Sequence, residues 1–384
     1  MTKRIYETDG SCRSFTALVR SCEQTEGGYL VKLDQTAFFP ESGGQAADRG
    51  QLGGANVLDV QLTPDEDIVH KTDAPLAVGD TVTGELDWAL RFSRMQSHAG
   101  EHLLCGVVHR HHGYANVGFH MSDAIMTVDF DGPLTAEDIA RAEEEANRAV
   151  WANVPITVSF PTAEELPHLD YRSKLDLTEG VRLVTMGEYD CCACCAPHPL
   201  RTGDIGLIKV LDFCPHKKGT RLEMVAGYHA FCDYQNLHRS TKSVMKLLSA
   251  TRDGVAEAVE KQHDLLSAAR DENNRLSARL TFADLKPVTA GDGVCAFADG
   301  ATYDDLIYCA NALAEQGTAI SFLFSHTEGD DYIYVVSSPT QDVRDRVKAM
   351  NVQFSGKGGG RPNYAQGKLT APSTEELVNW IANN

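Results

Sequence analysis

The chain has 384 residues, of which 42% are hydrophobic and 23% charged, and it carries a formal net charge of -19. That composition fits a soluble globular protein of two or three domains. It excludes a membrane span, because no run of about 18 or more apolar residues occurs. It also argues against nonspecific nucleic-acid binding over the whole surface, though a local basic patch can still serve. The opening residues, MTKRIYETDGSCRSF, lack the apolar segment of a signal peptide, so a cytoplasmic protein is expected. Eleven cysteines are present, and four crowd into DCCACCAPH (190–198). In a reducing compartment such crowding points to metal or reactivity more than to disulfides.

Taken in chain order, the patterns predict an α+β protein. Residues 1–88 read as a small β-barrel-like domain: GGYLVKLDQTAFFP and ANVLDVQL are short apolar segments separated by turn-forming PESGGQAADRGQLGG. Residues 89–235 mix helices and strands. SRMQSHAGEHLLCGVVHRHH carries Met95, Leu103, Leu104, Val107 and Val108 at helical spacing. DAIMTVDFDG reads as a strand, LTAEDIARAEEEANRAVWANV as an amphipathic helix with an acidic outer face, and GDIGLIKVLDF and TRLEMVAGYHAF as strands. Residues 236–285 lack proline, and Val244, Leu248, Val255, Leu266, Leu276 and Leu280 fall near a 3–4 spacing. This predicts a long helix or a helical hairpin, as a spacer or a dimer seam, weakened at Gly254 by about 1 kcal/mol. Residues 286–384 resume α/β, with GVCAFADG, TAISFLFS and YIYVVSS as strands. YDDLIYCANALAEQG and STEELVNWIANN read as helices, and SGKGGGRPNYAQGK (355–368) as a glycine-rich loop.

Within RMQSHAGEHLLCGVVH (94–109), His98 and His102 stand four apart, so a helix presents both on one face. Downstream, Cys194 and His198 form C-x-x-x-H. Two imidazoles with a Cys/His pair make a tetrahedral N/S set that suits zinc, not magnesium or calcium. Spacing alone does not choose among Cys191, Cys192, Cys194 and Cys195. A second reading takes His98–His102 as H-x-x-E-H, the inverted zinc-peptidase signature, with Glu101 as general base. Its third ligand would come from the carboxylates of AEEEANRAV. A third reading is a non-catalytic tRNA- or protein-binding module with a structural zinc.

Several stretches together resemble the editing region of alanyl-tRNA synthetase and its free-standing AlaX-type relatives. LDQTAFFPESGGQAADRG (33–50) is similar to the family's glycine-rich motif, and SHAGEHLL (97–104) to its H-x-x-x-H helix. CCAPHPLRTGDIGLIKV (194–210) is similar to its C-G-G-T-H segment followed by T-G-E-I-G. KKGTRLEMVAG (217–227) resembles its closing strand, and GKGGGRPNYAQG (356–367) its C-terminal DHHA1-type domain. The resemblance implies a long-form stand-alone editor with a zinc editing domain over 89–235 and a DHHA1-like domain over 286–384. It implies hydrolysis of tRNA(Ala) mischarged with serine or glycine. The register of His198 and Cys194 before Thr202 implies His98, His102, Cys194 and His198 as zinc ligands. Two departures stand out: C-C-A-P-H adds the Cys195 thiol, and Glu101 occupies the place where the family often has Thr.

Glu101 and Gln45 are the candidate catalytic side chains, Gln45 as the polar side chain singled out in the ESGGQAAD turn. Lys217, Lys218 and Arg221 are candidate tRNA contacts, as are Lys357, Arg361 and Lys368. The three glycines Gly358–Gly360 are candidates for holding a phosphate through their amides. A homodimer through the long helix or the C-terminal domain is a further expectation.

Overall fold

The computed structural model describes residues 1–122, 124–174 and 178–384. It divides into two compact units, Met1–Thr241 and Lys242–Asn384. In the first, six strands between Ser14 and Leu86 close a barrel. Alternating residues fill it: Phe15, Ala17 and Val19 point inward on one strand, and Val31 and Leu33 on the next. The barrel read from residues 1–88 is therefore present.

Helix α1 (Trp88–His112) follows at once. The Asp87 carboxylate caps it by accepting from the Leu90 N–H at 3.1 Å, and Gly113 ends it at φ 70°. Four basic residues occupy its last turn, where the helix dipole favours them. From Ser97 to Val108 every residue is buried, so α1 is not a surface amphipathic helix. Its apolar stripe packs in the core, and its polar stripe lines the site described below. Helix α2 (Ala136–Ala152) is amphipathic as expected; Thr135 and Asp138 form its capping box. Both helices pack on a four-stranded sheet in the order Ile208–His216, Gly219–Ala226, Met126–Phe130, Asn116–Met121. A three-stranded sheet joins Ile156–Ser159, Leu183–Met186 and Asp190–Ala193.

Two strand boundaries differ from the sequence reading. TGDI forms a 3-10 turn over Thr202–Ile205, and the strand starts only at Ile208. TRLEMVAGYHAF splits at Gly227, whose φ of 58° turns the chain into α3 (Tyr228–Leu248). The 236–285 segment is two helices, α3 and α4 (Val255–Asp284), interrupted over 249–254. On α4 a 3–4 stripe of Val255, Val259, Leu266, Ala269, Leu276 and Leu280 contains Gln262 and Asn273; Leu266, Leu276 and Leu280 are half exposed or more.

The second unit holds a six-stranded mixed sheet between two helical layers. Alternation along Ser321–His326 sends Phe322 and Phe324 toward α6 (Arg344–Gln353) and α7 (Thr374–Asn383). Leu323 faces the opposite side, toward α5 (Tyr303–Glu315). The stretch 355–368 is not a loop. Lys357–Arg361 is an extended edge strand paired antiparallel with Tyr364–Thr370. A Cβ on Gly358 would come within 2.3 Å of Tyr334 Oη, and one on Gly367 within 2.6 Å. These glycines make room for a buried tyrosine, so their amides form a strand and not a phosphate-holding nest.

Candidate metal centre and active site

Helix α1 places His98 and His102 one turn apart, with ring centroids 5.2 Å apart. Cys194 and His198 arrive on the chain that leaves the strand Asp190–Ala193. That strand can approach α1 because position 106 is glycine: a Cβ there would lie 2.5 Å from the Tyr189 carbonyl oxygen and 2.7 Å from Asp190 Cβ. The His198 ring centroid is 5.2 Å from that of His98 and 4.9 Å from that of His102. Cys194 Sγ is 3.4 Å from His98 Nε2. One ligand atom from each of His98, His102, Cys194 and His198 lies within 4.8 Å of all the others. Cys194 is thus the cysteine that joins the histidines.

Each imidazole is held from outside by its Nδ1. His98 Nδ1 donates to Gln45 Oε1 at 3.0 Å, His102 Nδ1 to Asp190 Oδ2 at 3.0 Å, and His198 Nδ1 to the Ala196 carbonyl at 2.9 Å. An acceptor at each Nδ1 requires the proton there and leaves an Nε2 lone pair for an ion. His198 Nε2 is buried with no partner. Burial opposes ionisation of the Cys194 thiol, but His98 and His198 outweigh it and bring the group well below the usual thiol range. Burial holds His198 down at about 4, keeping it neutral. Burial opposes the charged form of His102 as well, but Cys192 and Asp190 outweigh it and raise that group well above the usual imidazole range. A neutral His198 with an orphaned buried nitrogen, beside a thiolate and two further imidazoles, is a donor set that fits a borderline cation in tetrahedral N/S coordination.

The ESGGQAAD turn closes the site from the barrel side. Gly43 and Gly44 take φ of 59° and 83°, which L side chains rarely adopt. The turn drives Gln45, fully buried, against His98. Phe119 packs its edge on His98, with centroids 5.5 Å apart, and would lie 2.9 Å from a Cβ on Gly44. Below the turn, Asp48 pairs with Arg91 of α1, both 1% exposed. Arg91 Nη2 also donates to the Ala37 carbonyl at 2.5 Å, and Arg94 Nη1 to the Ala47 carbonyl at 2.6 Å. These bonds fasten the barrel to the helix that carries two of the candidate ligands.

Glu101 is buried. Its Oε1 accepts from Asn116 Nδ2, and from Cys105 Sγ at 3.1 Å. It does not join the ligand group. The peptidase reading needs a third ligand from residues 143–145, and these are engaged elsewhere. Glu143 holds Lys209 Nζ at 2.8 Å and the Val210 N–H at 2.6 Å, Glu144 pairs with Arg148, and Glu145 pairs with Arg110 and His111. A second close group, His102, Asp190 and Cys192, shares a ligand with the first. Its carboxylate is filled by Arg172, through Nε to Oδ1 at 2.7 Å and Nη2 to Oδ2 at 2.9 Å.

Residues 181–224, which contain Cys194 and His198, match the family described as threonyl and alanyl tRNA synthetase second additional domain. Residues 11–90 match the class II (A) tRNA synthetases. The chain is 28% identical to alanyl-tRNA editing protein Aarsd1 of Rattus norvegicus, over 97% of this chain and 95% of that one. It is 24% identical to alanyl-tRNA editing protein AlaX-L of Pyrococcus horikoshii, over 98% and 96%. The chain is a homologue of the alanyl-tRNA editing proteins. It is also 31% identical to the alanine--tRNA ligase of Pyrobaculum neutrophilum, but spans only 42% of that protein.

In this homologue of the editing proteins the basic candidates fall in both units. Lys217 and Lys218 are exposed on the turn between the strands Ile208–His216 and Gly219–Ala226. Arg221 is not free in the same way: its Nε and Nη2 hold Asp129 at 2.6 and 2.7 Å. In the second unit Lys357, Arg361 and Lys368 are exposed, and Lys357 stands directly opposite Lys368. Among the described residues no helix is long and apolar enough to cross a membrane.

Sequence reasoning missed Asp190, Arg172, Asp48, Arg91 and Phe119. Asp190 had a signal, since a carboxylate beside a Cys cluster is an obvious partner for a ligating histidine. Arg172 and Phe119 had none, because their roles depend on chain crossings distant in sequence.

Proposed function

We propose that the chain is a zinc-dependent trans-editing hydrolase that deacylates mischarged tRNA(Ala), chiefly Ser-tRNA(Ala) and also Gly-tRNA(Ala). The observation that carries this is the closed set His98, His102, Cys194 and His198 with every Nδ1 tied from behind. Homology over nearly the whole chain to proteins named as alanyl-tRNA editing proteins supports the substrate. Zinc bound there would polarise the ester carbonyl or lower the pKa of a bound water.

The chain's own residues supply position and selectivity. A charging pocket built for alanine rejects serine only weakly, so a second hydrolytic sieve is useful. Gln45 turns its Oε1 to His98 and leaves its buried Nε2 without a partner. We assign that amide to the bound aminoacyl group, where a seryl hydroxyl could accept from it and an alanyl methyl could not. Glu101 acts on the site through Asn116 and Cys105, holding its floor.

The exposed lysines are the tRNA contacts of this reading: Lys217 and Lys218 in the first unit, Lys357 and Lys368 with Arg361 in the second. Lys357 and Lys368 face each other across a strand pair, a repulsive arrangement that a phosphate relieves. Beside them a cleft of about 400 Å³ is lined by Arg344, Lys348, Asn351 and Gly358–Gly360. Arg221 contributes by holding the first hairpin in shape. The exposed stripe on α4 supports a homodimer through that helix.

The test is deacylation of seryl-, glycyl- and alanyl-tRNA(Ala) by the wild type and by Cys194→Ala. Loss of serine with alanine spared, abolished in the variant, is the expected result. A zinc-loaded protein that releases none of the three amino acids would sink the reading.

A further inference from the structure

Arg172 lies on the chain between the strands Ile156–Ser159 and Leu183–Met186, a stretch with no role in the sequence reading. It is fastened twice to the strand that carries Asp190. Its N–H donates to the Cys191 carbonyl at 2.8 Å, and its own carbonyl accepts from the Ala193 N–H at 2.9 Å. Its guanidinium, with a side chain 15% exposed, takes both oxygens of Asp190, whose side chain is 1% exposed. The same Nη2 reaches the His102 carbonyl at 3.4 Å. Asp190 in turn accepts from His102 Nδ1 at 3.0 Å. Beneath Arg172, Leu166, Val181 and Leu183 form a small apolar cluster with Tyr171, Cys191 and Ala193. The segment 161–174 therefore touches the ligand set through one guanidinium and one carboxylate.

The bidentate pair fixes the plane of the Asp190 carboxylate. With Arg172 in place, one oxygen direction remains for His102, and the imidazole meets it with Nδ1–H. Remove Arg172 and the carboxylate can rotate inside its pocket, and His102 loses its fixed tautomer and orientation. We propose that Arg172 is a positioning residue which, through Asp190, holds His102 ready for the cation, so that docking of segment 161–174 and retention of the cation are one linked equilibrium. Linkage is reciprocal: what strengthens one end strengthens the other by the same factor. The proposal rests on the metal-binding part of the reading above, and not on the substrate.

The test uses full-length protein and Zn²⁺ alone. Affinity is measured by chelator competition for the wild type, Arg172→Met, Arg172→Lys and Asp190→Asn. Hydrogen exchange of segment 161–174 is followed with and without Zn²⁺. Arg172→Met and Asp190→Asn are expected to bind Zn²⁺ about 10–100-fold more weakly, with Arg172→Lys in between. Zinc is expected to slow exchange in the segment in the wild type and to lose that effect in Arg172→Met. If Arg172→Met does not fold, Asp190→Asn, which keeps shape and loses charge, carries the test with Arg172→Lys. Wild-type affinity in the folded variants overturns the proposal while leaving the editing reading intact, as does exchange in the wild type that is blind to zinc. A wild type that holds no zinc removes the metal reading and this proposal together.

Discussion

The metal centre and the glycine-rich edge of the second unit are built on opposite terms. At the centre, His98, His102 and His198 are at least 95% buried, and two buried side-chain atoms there, His198 Nε2 and Gln45 Nε2, stand without a partner. At the edge, Lys357, Arg361 and Lys368 are exposed, and two lysines face each other across the strands. Bond-making needs groups held within tenths of an ångström, which burial and second hydrogen bonds supply. Holding a phosphate backbone needs charge and reach, and solvent does not prevent that. Errors at the first site are therefore expected to abolish function, and errors at the second to weaken it by degrees.

The largest expected effect is Cys194→Ala. Losing one of four ligands should lower zinc affinity by on the order of a thousandfold or more and remove deacylation. Metal analysis after dialysis checks it, and full retention would break the contrast at its strong end.

Next comes the buckle between barrel and helix. Asp48→Asn leaves Arg91 buried without its counter-charge, a loss of about 3–5 kcal/mol in denaturant unfolding. The turn bearing Gln45 should loosen with it, so zinc affinity should fall although no ligand is touched. Unfolding unchanged from wild type would show the pair to be dispensable.

His70 gives the pH arm. Its Nδ1 donates to the Val31 carbonyl at 3.2 Å and its Nε2 accepts from the Thr36 hydroxyl at 2.8 Å, and burial holds it down at about 4. The depressed value means that its contribution is fully present above about 6.5 and is lost as pH falls toward 4. That is on the order of 3 kcal/mol at about 1.36 kcal/mol per pH unit. Unfolding measured across that window should steepen toward acid, and His70→Gln should flatten that part of the profile.

Gln45→Ala removes the acceptor behind His98 and the amide assigned to the substrate. A loss of about 10–100-fold in deacylation is expected, with smaller damage to stability. The smallest effect belongs to the edge. Lys357→Ala with Lys368→Ala should weaken tRNA binding about tenfold, lower the salt slope by roughly 2, and leave zinc affinity unchanged. A change in zinc affinity there would erase the distinction between the two regions.

The sequence carried the local terms of this protein. Helical spacing put His98 and His102 on one face, short apolar segments between turns announced the barrel, and the register of the family resemblance singled out Cys194 with His198. Each depends on short-range order along the chain, which a linear pattern preserves. It left open where the polar face of α1 points, because patterns do not distinguish a polar face in water from one that lines a buried site. It misjudged 355–368 as a loop because glycines read as turns, whereas here they clear space for Tyr334 from another strand. Asp190 behind His102, Arg172 behind Asp190, Gln45 behind His98 and Asp48 beneath the turn are tertiary decisions. Each pairs residues from 18 to 88 positions apart, and no short-range preference encodes which distant groups a close-packed interior will bring within 3 Å. The candidate ligands could be named from the chain, but what holds them ready came only from the fold, because an imidazole binds an ion well when something else holds its other nitrogen.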